Sequence, residues 1–177
     1  MSAAAEGKIL VAGIGNIFFG DDAFGGEVAR ELQRRPWPDG VRVEDFGIRG
    51  YDLAYALMDG TDAVLIDAVP RGEPPGTLYL IEPDLDHVAI DGDPGPPDGH
   101  TMTPASVLRL VQSLGGRAGR IVLVGCEPAV LEADELGLSA PVRAAVPGAV
   151  ALVARLVDDL LHDRDPAPLS GAAKEVS

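Results

Sequence analysis

Three residues of this sequence carry side chains that can bind a metal ion together, namely Asp22, Asp67 and His100. Two carboxylates and an imidazole suit a borderline divalent ion such as zinc, nickel, cobalt or iron(II). Three protein ligands leave coordination positions open to water or to a substrate. The residue types therefore predict an open metal site, provided that the fold brings the three side chains together.

Each of these residues also has an ordinary structural explanation. Asp22 or its neighbour Asp21 could cap the first helix, and Asp67 could be a turn residue at the end of a strand. His100 could be a solvated loop histidine. Taken one at a time these explanations are the simpler ones, so the case for a site depends on the elements that position the residues.

Apolar, β-rich runs alternate along the chain with segments of helical period. This pattern predicts a three-layer α/β fold, in which a mainly parallel sheet of about five strands has helices on both faces. The predicted strands cover residues 8–12, 41–46, 63–67, 77–81 and 120–124, and the predicted helices cover 23–35, 51–58, a segment beginning near Thr103, and 140–162. Strand 77–81 follows its predecessor too closely for a helical crossover, so we expect it to be antiparallel or at an edge.

The three candidate ligands all lie where a strand ends or a helix begins. Asp22 follows the first strand, Asp67 ends the most continuous apolar strand, and His100 precedes the helix near Thr103. Ligands of open parallel sheets bind beyond the carboxyl ends of the strands. The predicted topology therefore places Asp22, Asp67 and His100 at one edge of the sheet.

Length and composition predict a single domain. The chain has 177 residues, of which 46% are hydrophobic, enough for one core. We expect the domain to span residues 1–177, with its core at about 8–162 and a polar, frayed tail at 163–177. Glu82 to Gly99 reads as a long exposed loop, and Pro147 predicts either a kink in the last helix or its true start.

Charge excludes several classes of partner. A net charge of −14 disfavours binding to nucleic acids and to anionic membranes, which both require clustered Lys and Arg. The sequence lacks a long apolar run and a signal-like N-terminus, which predicts a cytoplasmic protein. Gly13 and Gly15 follow a strand, but Phe18 stands where a dinucleotide motif has its third glycine, so we expect no nucleotide. The single cysteine, Cys126, is more readily explained as structural than as a nucleophile.

A family resemblance rests on several motifs in order. Residues 13–25, GIGNIFFGDDAFG, resemble the opening motif of the nickel-iron hydrogenase maturation endopeptidases. The resemblance continues through LIDA at 65–68, the His100 loop, VGCEP at 124–128 and GLS at 137–139. It covers about residues 8–160, which is nearly the whole predicted domain.

The resemblance implies an aspartyl-type peptidase that removes a C-terminal extension from a hydrogenase large-subunit precursor after nickel insertion. Carried over by motif, the family's metal ligands are Asp22, Asp67 and His100, with Asp21 supporting them. The nickel then belongs to the substrate, other divalent ions can substitute for it, and the ligands inspect whether the precursor is loaded. Asp22 or Asp67 is expected to activate the attacking water.

Two departures from the family pattern accompany the resemblance. The family's first carboxylate is often Glu, so Asp22 is one methylene shorter, and residues 47–50 read GIRG where the family tends to carry a Gly-Thr pair. Two other functions stay open from the residues alone. The absence of a recognisable nucleophile favours a metal-binding assembly factor without peptidase activity. The other alternative is a nucleotide-binding module, and the imperfect glycine turn counts against it.

Overall fold

The computed structural model describes residues 9–87, 102–131, 136–162 and 174–176. Within these ranges the strands are β1 (Ile9–Ile14), β2 (Val41–Gly47), β3 (Asp62–Ala68), β4 (Leu78–Ile81), β5 (Ile121–Cys126) and β6 (Lys174–Val176). The helices are α1 (Phe24–Gln33), α2 (Gly50–Leu57), α3 (Pro104–Ser113) and α4 (Ala140–His162), with 3₁₀ helices at Gly20–Ala23 and Leu85–His87. The strands and helices predicted from periodicity are confirmed to within a few residues at their ends.

One mixed sheet organises the domain. The described strands lie in the order β2-β1-β3-β5-β4-β6, so β3 is central as predicted. β1 pairs in parallel with β2 and β3, and β3 pairs in parallel with β5. β4 is antiparallel to β5, which confirms the orientation expected from its short connection. None of the helices in the described part of the chain is long and apolar enough to cross a bilayer.

Alternation along the strands supplies a core on each face of the sheet. One core contains Val64 and Ile66 of β3 and packs under α1 and α4. The other contains Ala63 and Leu65 of the same strand and packs under α2 and α3. Because Asp67 continues the second series, its side chain lies on the face that α2 and α3 cover. The architecture is the predicted three-layer α/β fold.

Glycines allow α1 to lie almost directly on the sheet. A Cβ built on Gly25 would be 2.3 Å from the carbonyl oxygens of both Ile14 and Ile66, which leaves no space for a side chain. Gly15 has a φ of +134°, and a Cβ there would be 1.8 Å from the Asp22 carbonyl oxygen. The glycines of the opening motif therefore bring the chain at Asp22 against the ends of β1 and β3.

In the C-terminal part of the chain, one expectation is corrected for residues 174–176 and one of two alternatives for Pro147 is excluded. The tail over 163–177 was expected to fray, whereas Lys174–Val176 pairs antiparallel with β4 as β6. Backbone pairing at an open sheet edge needs no apolar side chains, so a polar composition does not predict it. Pro147 does not mark the start of the last helix, because α4 begins at Ala140 and runs past it.

Candidate active site

Asp22 lies in the 3₁₀ helix Gly20–Ala23, directly beyond the carboxyl end of β1. Its half-buried carboxylate accepts a hydrogen bond at Oδ2 from the backbone N–H of Asn16, at 2.8 Å. Neither the 3₁₀ helix nor α1 has a side-chain cap, and the residue before α1 is Ala23. Asp22 is therefore not the helix cap that its position allowed, and its second oxygen makes no hydrogen bond among the described residues.

Asp67 lies inside β3 rather than in a turn. It is paired in register with Gly125 of β5, and only 5% of its surface is exposed. Its carboxylate interacts electrostatically with that of Asp22, which is reached from the neighbouring strand β1. The fold thus brings two of the three predicted site residues together at the carboxyl edge of the sheet.

Both carboxylates are harder to ionise than an ordinary aspartate. Burial raises the pKa of Asp67 well above its usual value, and the charge of Asp22 raises it further, against one opposing hydrogen bond from the Ala68 backbone. Burial also raises the pKa of Asp22, while the Asn16 backbone hydrogen bond opposes the shift. Both groups are consequently stronger proton acceptors than an ordinary aspartate.

His100 lies outside the described residues, so its place beside the carboxylates stays a prediction. The chain is described again from Met102, and Thr103 then caps α3 in a capping box with Ser106. Thr103 and Asp67 line the same cavity, so α3 begins on the side of the sheet where Asp67 lies. Among the described residues no group of three His, Cys, Asp or Glu side chains is placed to hold a metal ion.

Asp21 is fully buried and ties the site to the connection between β5 and α4, more than 100 residues away in sequence. Its carboxylate accepts hydrogen bonds from the backbone N–H groups of Ala129, Val130 and Ser139, at 2.8, 2.9 and 2.7 Å, and from the Ser139 hydroxyl at 2.9 Å. Burial alone would raise the pKa of Asp21, but these hydrogen bonds outweigh it and lower the pKa. Asp21 is therefore an anchor for the 3₁₀ helix that carries Asp22, and its hydrogen bonds favour its ionised form.

Glu127 is a further buried carboxylate, for which no role was predicted beyond its place in a family motif. It accepts hydrogen bonds from the Tyr79 hydroxyl at 2.6 Å and from the backbone N–H groups of Arg71 and Gly72 at 2.8 and 3.0 Å. Burial would raise the pKa of Glu127, but these bonds lower it. Glu127 therefore fixes the loop that leaves β3 after Asp67.

Cys126 has the properties of a structural cysteine. Its side chain is fully buried in the core under α1 and α4. Burial, together with the charges of Asp21 and Glu127, raises the pKa of the thiol to about 12. The thiolate needed for nucleophilic attack is therefore scarce at neutral pH, which supports the structural interpretation.

Comparison with known proteins identifies relatives of this chain. The family model described as hydrogenase maturation protease matches residues 27–156. The chain is 30% identical over 172 residues to the hydrogenase expression/formation protein HupD of Bradyrhizobium diazoefficiens, covering 96% of this chain and 88% of that protein. It is 31% identical to a putative hydrogenase maturation protease of Methanocaldococcus jannaschii, covering 82% of this chain and 93% of that protein.

The fold has solved counterparts as well. The structure of the hydrogenase maturating endopeptidase HybD from E. coli superposes with a TM-score of 0.68 at 26% sequence identity. The match covers 86% of this chain and 93% of that one.

Proposed function

The chain belongs to the hydrogenase maturation protease family, and from this membership we propose that it is an endopeptidase acting on a nickel-iron hydrogenase. Its substrate is the nickel-loaded precursor of the large subunit, from which it removes a C-terminal extension. The structural observation that carries the proposal is the pair of carboxylates, Asp22 and Asp67, at the ends of neighbouring parallel strands.

The charge of this pair explains why loading with nickel matters. Two carboxylates that repel each other are both favoured in their ionised forms when a cation lies between them. Nickel carried by the precursor supplies that cation, so only a loaded precursor is bound by both groups. His100 is the third proposed ligand, since imidazole suits nickel and the residue precedes α3. The metal is thus part of the substrate, and other divalent ions can substitute for it.

Hydrolysis then needs a group that accepts a proton from water. We assign this to Asp22 or Asp67, the two carboxylates whose pKa values burial raises. The water oxygen bonds to the scissile carbonyl carbon, the carbon–nitrogen bond breaks, and the proton passes to the leaving amine. The products are a large subunit with a new C-terminal carboxylate and a free peptide.

The decisive experiment compares nickel-loaded with nickel-free precursor. We expect wild-type protein to shorten only the loaded precursor, by one C-terminal peptide measured by mass spectrometry. His100→Ala is expected to lose both precursor binding and cleavage. Binding of the loaded precursor without any cleavage would overturn the peptidase proposal and support a non-catalytic assembly factor. Equal cleavage of the nickel-free precursor would overturn nickel recognition.

A further inference from the structure

A cavity of about 530 Å³ opens beside Asp67 on the face of the sheet that α3 covers. Its floor is formed by Leu65 of β3 and by Ile121 and Leu123 of β5, and α3 contributes Ala105 and Leu108. Most of its lining is apolar, and its volume lies in the range typical of small-molecule sites. It therefore has room for more than one side chain of an extended peptide.

The walls of the cavity are held before any ligand arrives. One wall is the loop after β3, where Val69 donates its backbone N–H to the Cys126 carbonyl at 2.9 Å. Glu127 holds the next part of this loop through the N–H groups of Arg71 and Gly72. The opposite wall is the capped start of α3 at Thr103. A preformed cavity avoids the entropic cost of ordering on binding.

The polar and charged residues that line the cavity are Asp67, Asp84, Thr103 and Arg109. Thr103 and Arg109 supply O–H and N–H donors for carbonyl oxygens, and Asp67 is both a wall of the cavity and a member of the carboxylate pair. A side chain seated here would hold its own backbone next to that pair. The cavity is in this way continuous with the candidate active site.

We infer that this cavity is the specificity subsite for an apolar side chain of the precursor, at a residue next to the bond that is cut. The inference rests on the proposed function and deepens it, because it names what the protein reads besides nickel. The apolar floor favours an aliphatic or aromatic side chain, while a charged one would lose its hydration against Leu65, Ile121 and Leu123.

The test measures cleavage of a precursor series by wild-type and variant protein. The cut bond of the loaded precursor joins two residues, and each of them is replaced in turn by Ala, Leu, Phe or Asp. We expect one position to prefer Leu or Phe over Asp by about tenfold or more in kcat/KM, the size of effect that apolar pockets give.

Two variants locate that preference in the cavity. Ala105→Phe fills the cavity from an exposed position of α3, and is expected to shift the preference at the same position toward Ala by about tenfold. Ala151→Phe is the matched control, since Ala151 is exposed on α4, on the opposite face of the sheet. It is expected to keep the wild-type profile, and equal melting temperatures show that both variants fold.

The possible failures are distinguishable. Cleavage without any side-chain preference, or a preference that Ala105→Phe leaves unchanged, overturns the subsite while the endopeptidase function stands. No cleavage of any loaded precursor by wild-type protein overturns the proposed function, and the subsite with it.

Discussion

Asp67 is the residue at which stability and the proposed activity conflict most directly. It is a nearly buried carboxylate, and it faces the charge of Asp22. Burial and like charge both raise the free energy of its ionised form. A buried carboxylate of this kind lowers the stability of the folded state, and a functional role explains why the protein carries it.

Replacing Asp67 with Asn is expected to separate these two effects. Asn keeps the shape but removes the buried charge, so the free energy of unfolding at pH 7 should rise, measured by chemical denaturation. Cleavage of loaded precursor should fall by about 10²–10⁴-fold, as for loss of a general base. Asp62→Asn, at the other end of β3, is the control and should leave cleavage unchanged. Wild-type rates in Asp67→Asn would exclude Asp67 from the reaction.

Asp21 differs from its neighbour because its charge is fully used by hydrogen bonds. The backbone N–H groups of Ala129 and Val130 both donate to Oδ2 of Asp21. In Asp21→Asn an amide N–H₂ at this position would face these two donors and could not accept their hydrogen bonds. We expect a loss of about 1–3 kcal/mol in the free energy of unfolding, typical of hydrogen bonds to a charged group. Asp22→Asn is the matched comparison and should cost less, because Asp22 accepts one such bond. Equal losses in the two variants would contradict the anchoring role of Asp21.

At the scale of elements, the contact of α1 with the sheet determines where Asp22 lies. Gly25→Ala should destabilise the protein by about 1–3 kcal/mol, because its Cβ would overlap the carbonyl oxygens of Ile14 and Ile66. Gly148→Ala in α4 is the control, since its Cβ would meet only the end of the Leu78 side chain, at 3.3 Å. That change should be nearly neutral or stabilising, as expected for alanine in a helix. Equal melting temperatures of the two variants would contradict the close packing of α1 on the sheet at Gly25.

The loop after β3 depends on Glu127, and this dependence varies with pH. The pKa of Glu127 is lowered in the folded protein from its ordinary value of 4.5, so its ionised form stabilises the fold above pH 4.5. This contribution is lost as the pH falls through the lowered value. Its charged and titratable surroundings are Tyr79, Arg71, Glu73 and Cys126.

Glu127→Gln should therefore lower the free energy of unfolding most near neutral pH and progressively less below pH 4.5. We expect about 1–3 kcal/mol at pH 7, for hydrogen bonds to a buried charge. The measurement is denaturant unfolding of both proteins between pH 3 and pH 7. A difference that is independent of pH would show that the charge of Glu127 is not what holds the loop.

At the scale of the whole molecule, β6 places a segment near the chain end on the outer edge of the sheet. Removing residues 171–177 should leave the β4 edge unpaired, since Leu78 and Leu80 face Val176 and Lys174 in register. We expect faster amide exchange within β4, measured by hydrogen–deuterium exchange, with little change in the central strand β3. Unchanged exchange throughout β4 would contradict the pairing.

Local pattern was sufficient to predict most of the fold. Apolar alternation and helical period arise from neighbours in sequence, so β3, α3 and α4 were recognisable without any tertiary information. The rule that ligands meet at the carboxyl ends of parallel strands also predicted that Asp22 and Asp67 come together. Their catalytic and metal-binding roles, with that of His100, stay predictions that rest on family membership and the proposed experiments.

Only the tertiary structure shows which contacts hold the segments that carry Asp22 and Asp67 in place. The Asp21 carboxylate accepts a hydrogen bond from Ser139, which is 118 residues away in sequence. The Glu127 carboxylate accepts one from Arg71, which is 56 residues away. No local periodicity encodes such contacts, because they depend on which loops the folded sheet brings to one edge. The same holds for the pKa shift of Asp67, which results from burial between β1 and β5, and for the cavity beside it. Sequence thus determined the elements and the residue types of the site, whereas packing determined their environment.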